Sequence, residues 1–221
     1  MLPRLALAVI FDMDGLLIDT ERVVRDAMTA VAGAHGRALP ESVFLAMIGT
    51  THETSRAMAV AHFGPAFAID AYDAEVDARV DAALALGAEV KTGVVELLDF
   101  LDAAAIPRAV ATSSSHETVR RHLGKAGLLD RFDTVVARGD YARGKPFPDP
   151  FLLAATRLGV APEACLALED SHNGVRAAHA AGMMTVMVPD LLEATDEMRG
   201  LVVAVADTLH AVRDMLAARG R

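Results

Sequence analysis

Residues 5–11 form an unbroken apolar run that stops at Asp12-Met13-Asp14-Gly15. A strand that is apolar on both faces must be covered on both, which is the situation of a strand inside a parallel sheet flanked by helices. Similar short runs recur at residues 109–111, 134–137, 165–168, 184–188 and 201–205, separated by stretches of helical length and period. Val94, Leu97, Leu98 and Leu101, then Val119, Leu123 and Leu128, recur at helical spacing, while Asp99, Asp102, Arg120, Arg121 and Lys125 mark the polar faces. Strand and helix therefore alternate, which predicts an α/β fold with a doubly wound, Rossmann-like parallel sheet.

The interval from about residue 17 to residue 91 breaks this rhythm. It holds no strand pattern, only alanine-rich amphipathic segments interrupted near Gly33 and Gly36, at Gly49, at Gly64-Pro65 and at Gly87. That is too long for a single crossover. The expectation is a helical insert of about four helices over residues 17–91, joined by linkers near 16–20 and 87–93 to an α/β core of residues 1–16 and 92–221.

Composition narrows the partners. Apolar residues make up 53% of the 221, and 30 acidic against 21 basic residues leave a net charge of −9. Such a chain buries a large core, which excludes disorder. With no basic cluster interleaved with aromatics, neither nucleic acid nor an anionic membrane is an expected partner. The single cysteine, Cys165, lies inside an apolar run and reads as a small buried hydrophobe. No intrachain disulfide can form, which suits a reducing compartment and makes the cytoplasm the expected location. Residues 5–11 are too short to span a bilayer and carry no cleavage site of a signal peptide. A monomer is the default expectation.

In an open α/β sheet the site lies beyond the carboxyl ends of the strands. Asp12 and Asp14 follow the first run, and Thr112, Ser113, Ser114 and Ser115 the second. A loop holding Lys145 follows the third, and Glu169 and Asp170 follow the fourth. Asp12 and Asp14, two apart in extended chain, face one locus. Two carboxylates there repel unless a cation lies between them, and with Glu169 and Asp170 the all-oxygen set suits Mg²⁺ better than zinc. Thr112 and Ser113, at the mouth of a helix starting near Ser115, offer hydroxyl and backbone N–H groups to a phosphate oxygen. Lys145 adds a fixed positive charge.

Rival motifs fail on spacing. Asp12-Met13-Asp14-Gly15 has its glycine fourth where a calcium loop needs it sixth. Gly139 to Gly144-Lys145 has the spacing of a P-loop, but Pro146 stands where that motif places its Mg²⁺-binding Ser or Thr. His52-Glu53 and His116-Glu117 open like a zinc-protease helix, yet Arg56 and Arg120 occupy the second histidine position.

Four stretches together carry a resemblance. They are Phe11-Asp12-Met13-Asp14-Gly15-Leu16-Leu17-Ile18-Asp19-Thr20-Glu21, Ala111-Thr112-Ser113-Ser114, Gly144-Lys145-Pro146-Phe147-Pro148-Asp149-Pro150-Phe151, and Leu168-Glu169-Asp170-Ser171-His172-Asn173-Gly174. In content and order the chain resembles the haloacid dehalogenase-like hydrolase superfamily over nearly its whole length. The wording is closest to the sugar-phosphate phosphatases and β-phosphoglucomutase, whose helical cap is inserted after the first motif.

The resemblance implies Asp12 as the nucleophile that forms an aspartyl-phosphate, and Asp14 as the general acid and base. It implies Thr112 as phosphate-binding hydroxyl and Lys145 as partner of nucleophile and phosphate. Glu169 and Asp170 become the acidic Mg²⁺ motif, with the metal also taking Asp12 and the backbone carbonyl of Asp14. An aspartate of ordinary pKa about 3.9 is a poor acid at neutral pH, so the closed cap is expected to hold its proton. β-Phosphoglucomutase has a cap histidine and a cap arginine where this chain has Val24 and His52, which weakens a mutase reading. His52 is a candidate substrate contact. The expected activity is Mg²⁺-dependent hydrolysis of a small phosphorylated metabolite, a sugar phosphate by resemblance. A phosphomutase and a non-catalytic phospholigand-binding protein are the alternatives.

Overall fold

The computed structural model describes residues 2–219. Strand β1 (Ala8–Phe11) leads through a short strand β2 (Ile18–Asp19) into four helices, α1 (Glu21–Ala34), α2 (Glu41–Met47), α3 (His52–Phe63) and α4 (Ile69–Ala83). The chain returns through β3 (Glu89–Val90), α5 (Val94–Ala103), β4 (Arg108–Ser115), α6 (His116–Lys125) and β5 (Thr134–Arg138). Then follow α7 (Asp149–Leu158), β6 (Cys165–Glu169), α8 (His172–Ala180), β7 (Met184–Met187), α9 (Asp196–Leu201), β8 (Ala204–Val205) and α10 (Leu209–Arg219).

Six strands form one parallel sheet in the order β5-β4-β1-β6-β7-β8, as the alternation of apolar runs and helices predicts. β1 lies inside it, paired with β4 and β6. Val9 and Phe11 point to one face and join α5, α6 and α10 through Leu97, Leu98, Leu123, Val212 and Leu216. Ala8 and Ile10 point to the other and meet α7 and α8 through Phe151, Ala154, Ala177 and Ala178. This period of two explains why an apolar run without alternation is needed here. Cys165 is fully buried in the second layer, as its apolar surroundings predict.

Two strand boundaries differ from the pattern. Leu5 and Leu7 are about half exposed and β1 begins only at Ala8, because the chain before it pairs only through Leu7 N–H to Ala164 C=O. Leu201 belongs to α9 instead of the last strand: Thr195 caps that helix through the Met198 N–H, and the helix runs on through Leu201.

Helices α1–α4 pack around a hydrophobic cluster of their own, including Ala27, Val31, Phe44, Met47, Phe63, Tyr72 and Val76. The two connections to the sheet, which no strand pattern marked, pair as an antiparallel ribbon, Ile18 opposite Val90 and Asp19 opposite Glu89. Among the described residues no helix is long and apolar enough to cross a membrane.

His122 on α6 is buried, and neither ring nitrogen has a hydrogen-bond partner. Burial, helped by Arg121 and Lys125 and opposed by Asp81, holds its pKa below the ordinary 6.5. The unfolded chain therefore takes up this proton first as pH falls, so His122 costs stability from about pH 6.5 downward. Thermal melts at about pH 7.5 and about pH 5.5 should show a smaller loss of Tm on acidification in His122→Leu than in the wild type. An equal loss in both proteins would contradict this.

Candidate active site

The register of the sheet brings three strand ends level. The backbone N–H of Asp12 donates to the carbonyl of Leu168 at 3.0 Å, so Asp12 lies beside Glu169 and Asp170 at the end of β6. β4 runs past Thr112 to Ser115, whose hydroxyl accepts the Thr118 N–H at 3.2 Å and starts α6 as expected. Gly174, in the first turn of α8, stands directly over Glu169. A Cβ there would lie 1.9 Å from its carboxylate carbon, so only glycine lets the helix N-terminus close on this acid.

Lys145 reaches into the centre, its side chain only 1% exposed, and its ammonium donates to both Asp12 Oδ1 and Glu169 Oε1. Burial acts against its charge, but Asp12 and Glu169 outweigh that and hold Lys145 protonated. Glu169 Oε2 accepts from the Ser171 hydroxyl at 3.0 Å and its backbone N–H at 3.3 Å. Both Glu169 oxygens are thus committed, and burial pushes this carboxyl up to about 7 against the pull of Lys145.

Asp14 has a different environment. Its Oδ1 accepts from the Thr20 hydroxyl at 2.6 Å and its Oδ2 from the Ser114 hydroxyl at 2.8 Å. Burial raises its pKa despite these two bonds. Thr20 stands at the start of α1 without capping it, because the hydroxyl is turned to Asp14 instead. Thr112 is buried, its hydroxyl accepting the Ser114 N–H at 3.0 Å, while the Ser113 hydroxyl is buried without a partner.

Carboxylate oxygens of Asp12, Glu169 and Asp170 lie within 4.8 Å of one another. The Asp14 carboxylate is not one of this group, being turned to its hydroxyls. Two buried oxygens nearby, Asp170 Oδ1 and Glu21 Oε2, have no hydrogen-bond partner. Burial, then the charges of Asp14, Asp12, Asp190 and Glu169, push the Glu21 carboxyl up to about 9. Burial, with Glu21, Asp12 and Glu169, likewise raises Asp170. Orphaned hard oxygens packed against like charges fit a divalent cation with oxygen ligands, and the donor set fits Mg²⁺.

The strand ends open into a cavity of 590 Å³ whose opposite wall is made by α1–α4. Val24, His52 and Arg56 all line it. Arg56 is already paired with Asp70 and Asp73. The helical layer sits close: a Cβ on Gly49 would lie 2.4 Å from the Ser171 hydroxyl.

The profile of haloacid dehalogenase-like hydrolases matches residues 7–182, which takes in all these strand ends. The chain belongs to this hydrolase family. A fructose-1-phosphate phosphatase, YqaB of Escherichia coli, is 34% identical over 192 residues, covering 81% of this hydrolase and 94% of that protein. Hexitol phosphatase A of the same organism is 35% identical over 181 residues, covering 81% of each. The crystal structure of CbbY from Rhodobacter sphaeroides in complex with phosphate superposes with a TM-score of 0.78 at 28% identity, covering 93% of this hydrolase and 95% of that chain.

Within this hydrolase the structure gathers Asp12, Asp14, Thr112, Ser113, Lys145, Glu169 and Asp170 at one place and sets His52 in the facing wall. Three further groups were not singled out from sequence. Thr20, Glu21 and Ser114 stand in the sequence only as members of longer motifs, with no role of their own. Their spacing from Asp14 gives no sign of the contact, which needs the turn at Gly15 and the β4 end to meet.

If the buried oxygens hold a cation, millimolar Mg²⁺ raises the Tm of the wild type by several degrees and leaves Asp170→Asn unmoved, read by differential scanning calorimetry. Gly174→Ala should cost about 1–3 kcal/mol through overpacking against Glu169, measurable by urea unfolding.

Proposed function

We propose that this chain is a Mg²⁺-dependent phosphatase of small phosphorylated metabolites, working through an aspartyl-phosphate on Asp12. One observation carries the reading: two aspartates two residues apart have donors of different charge. Asp12 is paired with a buried ammonium, whereas Asp14 accepts from neutral hydroxyls; burial raises both carboxyls, and at Asp12 Lys145 opposes it most strongly. A carboxyl held against an ammonium keeps an ionised oxygen for attack, whereas one held by neutral hydroxyls can carry a proton.

In this reading the free Asp12 oxygen attacks phosphorus while Lys145 holds the other and neutralises the phosphoryl oxygens. Thr112, with backbone N–H groups at the start of α6, orients the phosphoryl group, and the Ser113 hydroxyl has no protein partner to compete with it. Asp14 gives its proton to the leaving oxygen, then takes one from the water that cleaves the intermediate. Asp12, Asp170 and the Asp14 carbonyl would hold Mg²⁺, with Glu169 chiefly orienting Lys145 and the unpartnered Glu21 oxygen adding negative charge beside the site. Bound there, the ion supplies charge neutralisation for in-line transfer.

Residues 17–91 act as a cap over a core of residues 1–16 and 92–221. The separate cluster of α1–α4 and the two-stranded connection support that division. Closure brings an apolar wall with Val24 and Met28 over the strand ends and shuts out bulk water. The cavity takes a leaving group of sugar size, in keeping with the names of the related phosphatases. A mutase would need a cation for a second phosphate, and the arginines lining the cavity each already face a carboxylate, Arg56 those of Asp70 and Asp73, Arg121 that of Asp81 and Arg138 that of Glu53 at 3.9 Å.

Phosphate release from p-nitrophenyl phosphate and a panel of sugar phosphates, with Mg²⁺ and with chelator, tests the reading. Asp12→Asn should lower turnover by about 10³-fold or more. Asp14→Asn should retain the phosphoryl group on Asp12 after mixing with p-nitrophenyl phosphate, whose leaving group needs no proton; intact-protein mass spectrometry detects it. An isomerised sugar phosphate without free phosphate would favour the mutase instead, and no turnover by folded, Mg²⁺-loaded protein would overturn the proposal.

A further inference from the structure

The segment after β7 is not among the residues lining the substrate cavity, yet it grips the connections of the helical layer. Asp190 lies three residues past the end of β7, with its side chain only 4% exposed. Its Oδ1 is 2.7 Å from Arg22 Nη2 and 2.7 Å from Lys91 Nζ, and its Oδ2 accepts from Arg22 Nη1 at 3.1 Å. Arg22 lies in the first turn of α1, just past β2, and Lys91 directly follows β3, so one carboxylate pairs with a cation next to each connection. Arg22 also pairs with Asp19 at 3.0 Å, and the Lys91 N–H donates to the Leu17 carbonyl at 3.0 Å, which ties the cations to the ribbon itself.

The same segment is anchored at both its ends. Val188 N–H donates to the Glu169 carbonyl at 2.7 Å, at the end of β6. Leu191 and Leu192 pack against the hydrophobic cluster of α1–α4. A strap thus leaves β7 bonded to the end of β6, passes through the carboxylate that holds both connections, and ends in the helical layer.

We propose that Asp190 is a positioning residue that pins both connections and holds residues 17–91 closed over the site. The proposal rests on reading those residues as a cap. The pairs are made in a closed arrangement, with Gly49 against Ser171, so their loss favours opening. The nearly buried Asp190 carboxylate holds two partly exposed cations at once, so removing its charge leaves Lys91 without this partner and Arg22 with Asp19 alone. Arg22 and Lys91 are partly exposed and can turn to solvent, so the fold itself survives.

The test places nitroxide labels at Ala74→Cys on α4 and Leu152→Cys on α7 and measures their separation by electron double resonance, in wild type and Asp190→Asn. The native Cys165 is buried and its thiol is pushed up to about 11 by burial, which keeps it unlabelled. The expected result is a broader distribution with a longer mean distance in Asp190→Asn. With sugar phosphates, kcat and KM should change together, with kcat/KM lower by roughly tenfold. A distribution superimposable on the wild type overturns the proposal, even if activity falls. If Asp190→Asn does not fold, Lys91→Met must move the distances in the same direction, and an unchanged distribution there overturns it. Distances that move in a protein without phosphatase activity support the pin and count against the phosphatase reading instead.

Discussion

Lys145 is an ammonium buried to 1% exposure, bonded on one side to Asp12 and on the other to Glu169. Around it stand Asp14, Glu21 and Asp170, all buried or nearly so, in a chain with an excess of nine negative charges. Carboxylates gathered this closely out of water repel one another and are driven toward their neutral forms, as the raised pKa values of Glu21 and Asp170 express. One internal cation relieves only part of that repulsion. The remaining electrostatic cost is what makes the strand ends attractive to a metal ion and, with it, to a phosphoryl group.

The parallel sheet is the means by which these charges meet. β1, β4 and β6 are neighbours in space but are separated in sequence by two long excursions, one of them the whole helical layer. Because parallel strands end on the same edge, residues after each of them share one locus without any local sequence relationship. The same geometry gives Asp12 and Asp14 different neighbours: the first meets the Lys145 loop and β6, the second meets Thr20 and Ser114. Thr20 opens α1, so the group that holds Asp14 sits at the root of the helical layer that would close above it.

Much of this was legible from residue order. The apolar runs ending in Asp12, Thr112 and Glu169 marked the central strands because buried parallel strands tolerate no polar interruption. The long interval without such runs marked the helical insert. Less was legible where two signals competed. Leu5 and Leu7 continue the apolar run but lie outside β1, since pairing partners and not hydrophobicity end a strand. Leu201 is apolar yet helical, because the Thr195 cap acts on the residues after it. The ribbon of β2 and β3 has two residues per strand, too few to show a period.

Residue types and their order by themselves determined the α/β class, the insert and the set Asp12, Asp14, Thr112, Lys145, Glu169 and Asp170, because apolar periodicity and titratable chemistry are properties of the chain. Tertiary structure alone decided which oxygens face which donors. It turned Ser114, not Ser113, to Asp14, committed both oxygens of Glu169 to Lys145 and Ser171, left Glu21 and Asp170 with orphaned oxygens, and brought Asp190 against Arg22 and Lys91. The reason is geometric: a hydrogen bond depends on a fraction of an ångström and on direction, and those are fixed only when strands from distant parts of the chain settle into one register.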